Sequence, residues 1–163
     1  MRKKRVWIVS IVIILVLVIL GYTFIKMNSK KTNTTLYEEA IKYLEKKNDS
    51  KNKDKKDWKV FMSYKGFGID KEEEYQYAYM WILEEAYYIN EDGQLQLDTG
   101  SVMPYKFTFK DKKVIKYEKP ETGENYKTSV GELFPKKISQ KILDYKFEEL
   151  SKKNIKKIKE NYN

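Results

Sequence analysis

At 163 residues the chain has room for one compact domain plus an anchoring segment. It contains no Cys and no His. That removes disulfides, thiol nucleophiles, a lipid-modified cysteine and most zinc, copper and iron sites, and it leaves a serine nucleophile without its usual base. The formal charge is +9, but beyond Arg5 the basic and acidic residues interleave and form no stripe of the kind nucleic acid requires.

The first element in chain order is an apolar run from Val6 to Ile25, free of charge and interrupted only by Ser10, Gly21 and Thr23. As a helix it is about 30 Å long, the thickness of a hydrocarbon core. Trp7 and Tyr22 stand near its two ends, where amphipathic rings favour the headgroup level. Arg2, Lys3, Lys4 and Arg5 precede it without an acid among them, a denser flank than Lys26, Lys30 and Lys31 on the other side. The predicted topology is a cytoplasmic basic end (1–5), one transmembrane helix (6–25) and an extracytoplasmic remainder. Bulky residues in the GYTFIK stretch argue for an uncleaved signal-anchor and against a cleaved signal peptide.

Residues 26–34 are polar and read as a stalk. Thr35 and Glu38 have capping-box spacing, and Leu36, Ala40, Ile41 and Leu44 predict an amphipathic helix to about Lys47. The charged segment that follows reads as a connector. From Trp58 the period is two. Strands are predicted around Trp58–Lys65, Tyr75–Tyr88, Leu95–Leu97, Val102–Lys110 and Val114–Lys119, with bends at KGFGID and DTGS and turns at Asp92-Gly93 and DKK. Pro104 predicts an edge or a strand start. A second capping box at Ser129–Glu132 and Pro135 predict helices over about 129–163, with Ile138, Ile142, Tyr145 and Leu150 on their apolar side. The expected fold is α+β. A transmembrane helix precedes an extracytoplasmic domain (35–163), in which a small antiparallel sheet of four to five strands (about 58–118) carries helices on one face.

The stretch YQYAYMWILEEAYY is the densest aromatic segment. Tyr75, Tyr77, Tyr79 and Trp81 share one strand face, and Ala78, Met80 and Ile82 the other. With both faces apolar it reads as a central strand. If the aromatic face were exposed, those four residues would form a ligand or partner surface on which sugar rings could stack. Glu84 and Glu85 point to opposite faces unless a bulge intervenes at Ala86, so they make no shared acid/base pair. The EDGQLQLD stretch departs from the calcium-loop pattern, and no phosphate-cradling or dinucleotide motif occurs. No catalytic residue, metal or cofactor is expected. The lysine-rich SKKNIKKIKENYN segment could lie on an anionic surface through Ile155, Ile158 and Tyr162.

Gly100, Ser101, Pro104, Pro120, Gly123, Tyr126, Ser129, Phe134 and Pro135 complete a Gly-Ser-x-x-Pro step and a Pro-x-x-Gly-x-x-Tyr-x-x-Ser segment ending in Phe-Pro. With the Tyr/Trp-rich strand, residues 58–135 resemble an uncharacterised family of small membrane-anchored extracytoplasmic domains of Bacillota. The resemblance implies no activity. The expected function is a single-pass extracytoplasmic binding or scaffold domain of a Gram-positive envelope, not an enzyme, with an envelope protein or the cell wall as partner. The alternatives are a sensory or immunity protein at the membrane face, or a component of an envelope-spanning secretion or conjugation machine.

Overall fold

The structure, a computed structural model, describes residues 2–51 and 58–162, with side chains at 15–23, 26–27, 33–48 and 58–161. The chain divides into two units, 1–35 and 36–163. Helix α1 (Arg2–Lys51) accounts for the described part of the first. The predicted span 6–25 lies largely outside the residues with described side chains. Among the described residues no helix is long and apolar enough to cross a membrane. The backbone is helical at 26–34, so the predicted stalk is not an irregular segment and Thr35 does not start a helix. No Gly or Pro occurs there, and extending a helix costs less than nucleating a second one. Residues 52–57 of the predicted connector are outside the description, and 48–51 are helical.

In the second unit, β1 (Trp58–Glu72), β2 (Tyr75–Ile89), β3 (Leu95–Lys110) and β4 (Lys113–Glu118) form one antiparallel meander in the order β1-β2-β3-β4. β2 is central, as its two apolar faces predict. The bends predicted at KGFGID and DTGS are absent. β1 and β3 run through them, each absorbing one extra residue as a bulge, Phe67 opposite β2 at Met80/Tyr79 and Asp98 opposite Ala86/Tyr87. Gly66 permits a close approach, because an added Cβ would lie 2.4 Å from the Tyr37 ring. The β1–β2 turn falls at Glu73-Glu74 with Glu73 at φ 53. At the predicted Asp92-Gly93 hairpin, Gly93 takes φ 75 and donates to the Asn90 carbonyl at 3.0 Å. Asp111 and Lys112 both have positive φ, the geometry of a tight hairpin turn between β3 and β4. Pro104 lies in β3 before β4 pairing begins at Lys106, so β3 is locally an edge and the missing N–H costs no ladder bond.

Helices cover both sheet faces, not the single face predicted. Leu36, Ala40, Ile41 and Leu44 of α1 pack on Met62, Ala78, Met80, Ile82, Tyr105, Phe107 and Phe109. On the opposite face, α2 (Tyr126–Leu133), α3 (Lys136–Asp144) and α4 (Glu148–Tyr162) bring Val130, Phe134, Ile138, Ile142 and Leu150 against Tyr79, Trp81 and Leu83. Each fully buried large apolar side chain contributes about 1.5–3 kcal/mol relative to exposure, so the two layers hold the sheet from both sides. Pro135 stands at the N-cap of α3, its carbonyl accepting from the Ile138 and Ser139 amides. The capping box predicted at Ser129 does not form. α2 begins three residues earlier, and the Ser129 hydroxyl accepts from the Glu121 amide at 2.9 Å. A break at 145–147 separates α3 from α4, and within the first turn of α4 the Leu150 carbonyl accepts from Ser63 Oγ at 2.7 Å, tying α4 to β1.

Candidate functional site

The predicted surface of Tyr75, Tyr77, Tyr79 and Trp81 does share one face of β2, but the helices divide it. Tyr79 is 3 % exposed, packs edge-on to Phe134 at 6.0 Å, and donates its hydroxyl to Asp70 at 3.0 Å. Trp81 is also buried, with its ring 6.3 Å from that of Tyr145 and Nε1 donating to the Ile142 carbonyl at 3.2 Å. These two are core: their rings supply apolar area and their polar atoms are satisfied internally. The buried central-strand reading therefore describes Tyr79 and Trp81, and the conditional platform is left with only Tyr75 and Tyr77 as a ledge.

Tyr75 and Tyr77 remain half-buried. Lys110 places Nζ 5.8 Å from the Tyr75 ring centre, and Lys106 places its own 5.3 Å from that of Tyr77. Lys110 also pairs with Glu74 at 2.9 Å, which lowers the Glu74 pKa and raises that of Lys110. The side chains of this pair are about half exposed, and such pairs are worth little. Exposed cation–π contacts are worth about 0.5–1 kcal/mol each. The ledge thus offers two phenols, two ammonium groups and one carboxylate, a set suited to hydrogen-bonding a polar partner without bond-making chemistry.

A second aromatic group lies on the α1 face of the sheet. Tyr105 and Phe107 stack at 5.6 Å, and Tyr117 meets both. Lys47 donates to the Tyr117 hydroxyl at 2.7 Å and Lys119 stands 5.4 Å from the Tyr105 ring centre. The alternation Tyr105-x-Phe107-x-Phe109 marks the strand, whereas the meeting with Lys47 of α1 depends on helix–sheet packing.

No bulge separates Glu84 from Glu85, which pair with consecutive residues Met62 and Phe61 of β1 and face opposite ways. Glu85 accepts from Asn154 Nδ2 at 3.0 Å, and the same nitrogen donates to the Phe61 carbonyl at 3.1 Å. Asn154 is fully buried, although in a lysine-rich helix it reads as solvated. The arrangement orients Glu85 structurally, and the Tyr87 phenol that also hydrogen-bonds it has its pKa raised, by burial first and then by the Glu85 carboxylate. Among the described residues no cluster of three or more His, Cys, Asp or Glu could hold a metal.

Burial is the main cause of raised pKa values at Tyr79 and Tyr105. Hydrogen bonding to Asp70 adds to it at Tyr79, and the charge of Glu84 adds at Tyr105. Unfolded phenols ionise near pH 10. Both groups therefore contribute stability that is complete below about pH 10 and is lost as pH rises toward their folded values. An alkaline titration followed by tyrosine absorbance and circular dichroism should show these two ionising only together with unfolding. Full tyrosinate absorbance with an intact fold would contradict their burial. No protein-family model, curated protein or solved structure matches the chain.

Proposed function

We propose that the chain is a single-pass, membrane-anchored binding or scaffold domain on the extracytoplasmic side of a Gram-positive envelope, acting without catalysis. The observation that carries this is in α1. Leu15, Val16, Leu17, Val18, Ile19 and Leu20 are 49–63 % exposed, and they lie within an uncharged run behind Arg2–Arg5. Consecutive exposed apolar side chains on every side of a helix seek lipid or a partner, and a basic flank orients them. The binding role is supported by the half-buried Tyr75–Tyr77 ledge and by the structural bonds that hold Glu85 and Tyr79. An alkaline phosphatase fused after Asn163 should be active on intact cells. Activity confined to a cytoplasmic reporter at the same position would reverse the topology. A photo-crosslinking residue at Tyr77 should capture an envelope protein or wall fragment, and no adduct beyond the lipid background would remove the ledge as the binding surface.

A further inference from the structure

We propose that the groove between β1 and α4 binds a phosphate-bearing anion, taken either from a lipid headgroup or from a soluble phosphodiester. The groove has a volume of about 450 Å3 and is lined by Ser63, Tyr64, Lys153, Lys156, Lys157 and Glu160. Residues 153, 156, 157 and 160 recur at helical spacing, so one face of α4 points three ammonium groups and one carboxylate at the same space. Lys157 is pinned there by donating to the Met62 carbonyl. Lys156 is only loosely paired with Glu160, at 3.7 Å on an exposed surface. The hydroxyl proton of Ser63 is committed to Leu150, and Tyr64 borders the groove with its ring packed against Tyr37 of α1, so the α4 lysines supply the donors.

The lining carries a surplus of positive charge with no acid but Glu160. All its cations are lysines, and the only arginines of the chain are Arg2 and Arg5. Lysines bind phosphate as point charges, whereas a planar carboxylate is best matched by an arginine fork. The donor set therefore favours the tetrahedral oxygens of a phosphate over a planar carboxylate. The space exceeds what a bare phosphate needs and admits an ester substituent. Next to the groove Lys152, Ile155, Lys156 and Lys159 form the outward side of α4, with Ile155 50 % exposed, so a lipid headgroup could enter with apolar contact beside it.

Full-length protein in uncharged detergent micelles, titrated with pyrophosphate, should shift the backbone amides of Ser63, Tyr64 and Lys153. The double variant Lys153→Gln/Lys156→Gln removes two exposed charges, keeps the wild-type melting temperature, and should weaken binding about tenfold or more. The control Lys112→Gln/Lys113→Gln makes the same change in net charge at the β3–β4 turn and should leave affinity unchanged. Equal loss in both variants, or none in the first, would overturn the site. Glycerol-phosphate oligomers and vesicles with phosphatidylglycerol then separate the two sources. Dependence on Lys153 and Lys156 with either one identifies it, and its absence with both rejects the proposal.

Discussion

Trp81→Ala should lower the stability of the 36–163 unit by about 3–5 kcal/mol, as expected for a large aromatic cut from a packed core. Trp81 is buried between β2 and α3, and its Nε1 donates to the Ile142 carbonyl, so the substitution opens a cavity and leaves that carbonyl with only the long bond from the Tyr145 amide at 3.4 Å. Tyr75→Ala on the same strand face should cost about 1 kcal/mol or less, because Tyr75 is only half-buried and its neighbour Lys110 is exposed. Urea unfolding followed by circular dichroism separates the two. Equal, small losses would mean that Trp81 belongs to an open binding surface after all.

Asn154→Asp should destabilise by about 3 kcal/mol or more at pH 7, because it replaces a buried donor with a carboxyl facing Glu85 and the Phe61 carbonyl. Burial and the neighbouring carboxylate raise the folded pKa of the introduced acid above its unfolded value of about 3.9. The deficit relative to wild type is therefore small below about pH 4 and grows as pH rises through the interval between those two values. Asn154→Ala, which removes one donor from each partner without adding charge, should cost about 1–3 kcal/mol with little of this pH dependence. Chemical denaturation of the three proteins at several pH values checks both statements, and an identical deficit for Asn154→Asp at every pH would place residue 154 away from Glu85.

Turn chemistry and period were the legible features. Asp92-Gly93 and the Asp111-Lys112 step form turns where their residues predict them, and the alternation from Tyr75 places β2 at the centre. Gly66, Gly68 and Gly100 misled, because a glycine that signals a break locally can sit in a strand when long neighbours pair across it. β1 and β3 each pair with β2 along nearly its whole length, and a one-residue bulge is a smaller cost than losing those ladders. The converse case is Glu73-Glu74, a turn with no Gly or Pro to announce it, imposed where the two paired strands must reverse.

The same division holds for the candidate sites. Sequence alone determined that the chain lacks thiol and imidazole chemistry, that residues 6–25 are uncharged and mostly apolar behind a basic flank, and that Tyr75, Tyr77, Tyr79 and Trp81 share one strand face. These are properties of composition and of a two-residue period. Tertiary structure decided which of those rings stay accessible, since α2 and α3 arrive from more than forty positions later in the chain to bury Tyr79 and Trp81 but leave Tyr75 and Tyr77 only partly covered. It also decided that Asn154 is buried against Glu85 and that three lysines of α4 meet Tyr64 across a groove. No local pattern encodes such meetings, because they depend on where a helix lands on a sheet and not on the residues beside it in sequence.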